Sequence, residues 1–109
     1  MNLLRDRKCR PLPEGTPPLD VKRADELLAL LAPGWRIAPD GRSIRRDFSF
    51  ANFYETMAFV NAVAWIANTG DHHPDLEVGY NYCRMAFSTH SVGGLSENDF
   101  VCAAKVDAL

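Results

Sequence analysis

Apolar residues recur along the chain with two periods, and the switches between them outline the fold. Ala24, Leu27, Leu28 and Leu31 fall at helical spacing behind Asp20, whose carboxylate suits an N-cap, and Pro33-Gly34 ends the segment. Trp35 and Ile37 then alternate with Arg36 and Ala38, and Ile44, Phe48 and Phe50 share one face of a second extended run. Asp40-Gly41 between these runs signals a hairpin, because both residues tolerate positive φ. A long helix is predicted from Asn52, with Glu55 as its capping-box partner. Phe53, Met57, Val60, Ala64 and Ala67 form an apolar stripe there, Phe59, Val63 and Ile66 widen it, and Thr69-Gly70 stops it.

Period two returns in the second half. Leu76, Val78 and Tyr80 alternate with Glu77 and Gly79. After a turn near Asn81, Cys83, Met85, Phe87 and Thr89 alternate with Arg84, Ala86, Ser88 and His90. Gly93-Gly94 reads as a flexible link, and Ser96 as the cap of a last helix that runs close to the C-terminus. The order α-β-β-α-β-β-α makes residues 19–109 one α+β domain, with a four-stranded antiparallel sheet and three helices packed on one face. Residues 1–18 carry Arg5, Arg7, Lys8, Arg10 and four prolines, and read as an extended N-terminal arm. A solvated leader is the ordinary reading of such an arm, and an interaction tail the sharper one.

Composition narrows the picture. A chain of 109 residues fits one domain that buries a core without disulfides or a metal. A net charge of -2 gives no electrostatic footprint for nucleic acid or a membrane surface. The three cysteines, Cys9, Cys83 and Cys102, are odd in number and form no C-x-x-C, so they read as reduced thiols. No apolar leader of secretory length opens the sequence, and the most apolar stretch, Met57 to Ala67, is interrupted by Asn61 and too short for a bilayer. A cytoplasmic location is therefore expected.

All three histidines lie between residues 72 and 90. If the second hairpin folds about Asn81, His72 faces His90 and His73 faces Thr89, with opposed Cβ atoms ~4.5–5.5 Å apart. A slip of one residue would change these partners but leave all three at the open end of the hairpin. A single histidine is usually a surface or satisfied core residue. Three converging beside Ser88, Thr89 and Ser91 point to proton transfer, since imidazole titrates near pH ~6.5 and two rings can supply an acid and a base together. Metal binding is the rival. Adjacent His72 and His73 tend to point apart and no cysteine sits at a matching spacing, although Asp71 or Asp75 could complete a set. Asp99 is explained by a Ser96-x-x-Asp99 capping box, and a carboxylate there can also orient a histidine. No G-x-G-x-x-G, P-loop or G-x-S-x-G is present.

Together, Asp71-His72-His73-Pro74-Asp75, Tyr80-Asn81, Ser88-Thr89-His90 and Gly94-Leu95-Ser96-Glu97-Asn98-Asp99 resemble the pterin-4a-carbinolamine dehydratase family. Pro17-Pro18-Leu19, Gly34-Trp35, Asn52-Phe53 and Phe59-Val60-Asn61 look like its bacterial branch, so the resemblance covers nearly the whole chain. Two positions depart from the pattern. Many members carry an acidic residue where this chain has Asn68, and many carry tryptophan where it has Leu76.

The resemblance implies dehydration of 4a-hydroxytetrahydropterin to quinonoid dihydropterin, which recycles the cofactor of aromatic amino-acid hydroxylases, with no metal or organic cofactor. By position, His72, His73 and His90 would be the catalytic set. His72 and His90 would form the acid–base pair, while His73 would bind and orient the pterin with help from Asp71, Ser88, Thr89 and Ser91. Asp99 would be a supporting carboxylate. The family also implies a homodimer or homotetramer built by pairing of edge strands, with neither nucleic acid nor membrane bound directly. Three other readings stay open: a binding module like the family members that serve as a dimerisation cofactor for a homeodomain transcription factor, an enzyme on another pterin such as a molybdopterin-pathway intermediate, and a small metalloprotein.

Overall fold

The computed structural model describes residues 3–109. Its elements are α1 (Val21–Leu28), β1 (Arg36–Ile37), β2 (Ile44–Ser49), α2 (Phe53–Gly70), β3 (Asp75–Val78), β4 (Tyr82–Phe87) and α3 (Glu97–Asp107), with 3-10 turns at Leu4–Asp6 and His90–Val92. The strands form one antiparallel sheet in the order β1-β2-β4-β3. The expected α+β architecture is observed.

Alternation decides which face of the sheet is covered. Ile44 on β2 and Cys83, Met85 and Phe87 on β4 point inward and join Leu27, Val63, Ile66, Phe100 and Val101 in one core. Burying each large apolar side chain contributes ~1.5–3 kcal/mol. Arg45, Asp47, Glu77 and Arg84 stand on the opposite, solvated face. Asp107 near the end of α3 ties the layers together: its carboxylate accepts from Trp35 Nε1 (2.8 Å), Arg46 Nη1 (2.6 Å) and the Ala32 backbone N–H (2.9 Å). Gly34 allows that approach, because it holds φ +105° and a Cβ there would meet Arg46 Nε at 3.3 Å.

The N-cap residues are those the sequence predicts, but the capping box expected at Asn52 is not closed, because the Glu55 carboxylate accepts from the Ala51 N–H at 3.5 Å and not from the Asn52 N–H. Asp20 accepts from the Arg23 N–H at 2.8 Å and Asn52 from the Glu55 N–H at 3.0 Å. The face of α2 departs from the expected stripe. Thr56, Val63, Ile66 and Ala67 are buried, whereas Phe53 and Ala64 are exposed. This helix is apolar nearly all round, so period alone does not select a face. Tertiary contacts select it: the Thr56 hydroxyl donates to the Tyr80 carbonyl at 2.9 Å, and Phe59 packs on Phe48 and Phe50 with ring centroids 4.6 and 5.1 Å away. Tyr54 and Trp65 are left facing outward.

The first half of the arm, Leu4 to Arg10, is not a solvated leader, whereas most of residues 11–18 are exposed. Leu4 is only 5% exposed and belongs to the core. Arg7 pairs with Glu97, the backbone of Arg10 exchanges two hydrogen bonds with the Asn98 amide (2.9 and 2.8 Å), and Lys105 Nζ donates to the Arg5 carbonyl at 2.7 Å. The segment is short of regular structure, as its prolines dictate, yet α3 holds it along its length from Leu4 to Arg10. Residues 1 and 2 of the expected arm lie outside the described residues.

Candidate active site

The end of α2 places the histidine pair. Asp71 takes the left-handed conformation (φ 49°, ψ 44°), its N–H donates to the Asn68 carbonyl, and the His72 N–H donates to the Ala67 carbonyl at 3.1 Å. This is the hydrogen-bond pattern of a Schellman cap, which a short polar residue such as aspartate can adopt. The expected stop at Thr69-Gly70 is thus one residue early. Gly70 remains helical, and what it lacks is room: a Cβ there would meet Cys9 Sγ at 3.3 Å and Cys102 Sγ at 3.7 Å.

From this cap His72 turns into the protein. Its ring stacks on Phe87, with centroids 6.1 Å apart and planes 9° from parallel, and its Nε2 lies 2.5 Å from Asp99 Oδ1. Asp99 is fully buried at the N-terminus of α3. Its Oδ2 accepts from the Ser96 N–H (2.9 Å) and from the Thr89 hydroxyl (2.8 Å), which also meets the Ser96 hydroxyl at 2.7 Å. The carboxylate therefore has an acceptor site for each donor around it, as a buried charge requires. Burial pushes the His72 imidazolium toward deprotonation. The hydrogen bond and charge of Asp99, assisted by Cys9 and Asp71, outweigh that effect, and the pKa rises above the ordinary 6.5.

The expected face-to-face pairing of His72 with His90 is not formed. Asp75 faces Ala86 and Val78 faces Cys83, a register one residue removed from a turn centred on Asn81. The Gly79 N–H donates to the Tyr82 carbonyl across a two-residue Tyr80-Asn81 loop, whose carbonyls are held by the Thr56 hydroxyl and the Phe50 N–H. Pairing begins at Asp75, so His72 and His73 precede the strand, and β4 ends at Phe87, so His90 follows it. His90 opens the 3-10 turn and is exposed. The Gly93-Gly94 segment is ordered: Thr89 and Gly94 exchange backbone hydrogen bonds of 2.8 and 3.4 Å.

His90 lines an open polar cleft of about 300 Å³ with Ser88, Thr89, Arg42, Arg45 and Asp75 among its walls. Thr89 is 6% exposed and its hydroxyl is turned inward to Asp99. His73 is exposed, and its Nε2 lies 3.1 Å from Asn68 Oδ1. Asp71 and Ser91 are also exposed, on the turns that carry His72 and His90. A single buried link, Thr89–Asp99–His72, thus runs from the strand end carrying His90 to the helix end carrying His72 and His73. Among the described residues no three ligating side chains gather as a metal would require. Sequence reading missed Phe87 as the platform for His72, Arg42 and Arg45 as cleft walls, and Asn68 as the partner of His73. Only Phe87 left a signal, its inward phase on β4.

Residues 17–109 match the family described as pterin 4 alpha carbinolamine dehydratase. A relative from Nitrosomonas europaea, provisionally named a pterin-4-alpha-carbinolamine dehydratase, is 57% identical over 106 residues, covering 97% of this chain and 92% of its own. The crystal structure of a transcriptional coactivator/pterin dehydratase from Brucella melitensis aligns with a TM-score of 0.79 at 32% identity, covering 84% of this chain and 96% of that one. A pterin dehydratase-like protein identified as a RuBisCO assembly factor in the alpha-carboxysome aligns with a TM-score of 0.60 at 25% identity, covering 69% and 87%.

Proposed function

The chain belongs to the pterin 4 alpha carbinolamine dehydratase family, and from that premise we propose that it converts 4a-hydroxytetrahydropterin to quinonoid dihydropterin by histidine acid–base catalysis, without a metal or organic cofactor. The observation that carries this reading is the buried Asp99 carboxylate, 2.5 Å from His72, which favours the imidazolium form.

His72 is the general acid. Asp99 occupies Nε2, leaving the second ring nitrogen to give its proton to the hydroxyl on C4a. The C4a–O bond breaks and water leaves as the lone pair of the adjacent ring nitrogen forms the new C=N bond. His90, on the cleft wall, is the base that takes the proton from the pterin ring. The reaction is then balanced: one proton enters the leaving group, one leaves the ring, and solvent returns both histidines to their starting states. The nitrogen lone pair supplies the push, so positioned acid and base suffice, typically worth ~10²–10⁴-fold.

His73 binds and orients the pterin from its turn, with Asn68 holding its ring and Asp71, Ser88 and Ser91 offering polar contacts. Thr89 acts through Asp99. The product re-enters the tetrahydropterin pool used by aromatic amino-acid hydroxylases. A second copy would pair on the exposed edge of β3, where Leu76 and Val78 are 36% and 38% exposed, giving a homo-oligomer in the cytoplasm.

The test follows dehydration of freshly generated 4a-hydroxytetrahydropterin by ultraviolet absorbance, in the presence of a chelator, with the wild-type chain and with His72→Ala and His90→Ala. Acceleration by wild type that is largely lost in both variants is expected. No acceleration by folded wild type would overturn the assignment. It would favour a second reading, as a binding module for a protein partner, which rests on the descriptions of the two solved neighbours as a coactivator and an assembly factor.

A further inference from the structure

The proposed chemistry leaves one pair of nucleophiles unused. Cys9 on the arm and Cys102 on α3 bring their sulfurs to 3.2 Å, although 93 positions separate them in the chain. Several independent contacts produce this meeting. Leu4 on one side and the Arg10–Asn98 hydrogen bonds on the other hold the arm against α3, and Gly70, having no side chain, leaves the space the two sulfurs fill. We propose that Cys9 and Cys102 are a modification site: a thiol pair that hydrogen peroxide closes to an intramolecular disulfide, fixing the arm to α3 behind the His72–Asp99 pair.

The two sulfurs have different standing. Cys9 is half-buried, so a small oxidant can reach it, while Cys102 is fully buried. The hydrogen bond from Cys102 lowers the Cys9 pKa from 9.0 to about 7 against the opposing effect of burial, with the charges of His72 and Lys105 assisting. Cys102 is shifted upward by the same hydrogen bond and by burial. Cys9 is therefore the attacking thiolate and Cys102 the resolving thiol. Cys9 sulfur attacks one peroxide oxygen, the O–O bond breaks, and hydroxide leaves to become water, giving a sulfenic acid on Cys9. Cys102 sulfur then attacks the Cys9 sulfur. The S–S bond forms, the S–OH bond breaks, and the departing hydroxide takes the Cys102 proton. Two thiols lose two electrons and two protons, and one peroxide becomes two waters. A disulfide needs a separation of ~2.05 Å, so the sulfurs must close by a little over 1 Å. The arm, which is bound by side-chain contacts and not by a sheet ladder, can make that shift. Cys83 is buried on β4, its pKa raised by burial, and it serves as an internal control.

The test treats the reduced full chain with hydrogen peroxide, then measures free thiols under denaturing conditions, intact mass and the disulfide peptide map. Wild type is expected to fall from three free thiols to one, lose about 2 Da, join the Cys9 and Cys102 peptides, and recover fully with dithiothreitol. Cys102→Ser is expected to trap Cys9 as a sulfenic acid that dimedone labels, and Cys9→Ser to retain its two thiols. The proposal is overturned if wild type keeps three thiols, if Cys9 gains oxygen while Cys102 stays free, or if Cys9 links two copies. Should either serine variant fail to fold, the wild-type peptide map alone decides.

Discussion

Asp99 Oδ1 lies 2.5 Å from His72 Nε2 while Oδ2 of the same carboxylate receives the Ser96 N–H at the start of α3. One group thus starts a helix and charges a histidine. Asp99→Asn keeps the shape but removes the charge and replaces one acceptor with a donor. It is expected to cost ~1.5–3 kcal/mol of stability in urea denaturation, the range for hydrogen bonds to a charged group. The His72 titration, followed by proton NMR, should move down from its wild-type position because burial is then opposed only by the weaker charges of Cys9 and Asp71. A variant with wild-type stability and an unmoved His72 would refute this account of the site.

The same pair sets a pH dependence. His72 is raised in the folded chain, so its contribution to stability is complete below the unfolded value of 6.5 and is lost as pH rises through the folded pKa. The difference in unfolding free energy between wild type and His72→Gln should be largest below 6.5 and shrink steadily above it. Urea denaturation across that window measures it. A difference that grows with pH would mean that His72 is neutral in the fold.

His72 and His90 should separate when stability and rate are read side by side. His90 is exposed, so His90→Ala is expected to leave stability within ~0.5 kcal/mol while lowering kcat by about 10²-fold or more. His72→Ala should lower both, because it also leaves the buried Asp99 without its cationic partner. Equal stability losses in the two variants would contradict the placement of His90 on an open wall.

Leu4 tests the arm. Leu4→Ala is expected to cost ~2–3 kcal/mol in chemical denaturation, at the lower end for a buried leucine because the cavity opens near the surface. Dehydration rate per folded molecule should stay unchanged. A loss under ~0.5 kcal/mol would show that the arm adds little to the core.

Elements whose signal is local were legible in the sequence. Asp20 and Asn52 cap helices as their types predict, and Asp40-Gly41 turns a hairpin in which Gly41 holds φ +73°. Asp99 could be placed at the start of α3 from its spacing to Ser96 alone. What failed depends on contacts distant in sequence. The register of β3 on β4 is set by Thr56 and Phe50 gripping the Tyr80-Asn81 loop, and neither residue is near the hairpin in sequence. The buried face of α2 is chosen by Phe48 and Phe50 meeting Phe59, since the helix itself offers apolar residues on most sides. The arm read as solvated because its prolines and charges say so locally, while α3 carries its partners. The gathering of histidines near two element ends was visible, but the link between them, Thr89–Asp99–His72, arises only when α3 packs behind β4.

The docking of the arm on α3 bears on how the protein is made. Arg10 and Asn98 are 88 positions apart and Arg5 and Lys105 are 100 apart, so a ribosome working at about 5–20 residues per second delivers the arm roughly 5–20 s before its partner helix. Through that interval Leu4 and Cys9 have no α3 to dock on, and the His72 turn, made 27 positions before Asp99, stands without it for roughly the last 1–5 s. A nascent chain of this kind is exposed to chaperones and proteases until α3 emerges, and its last helix is the step that commits it to the folded state.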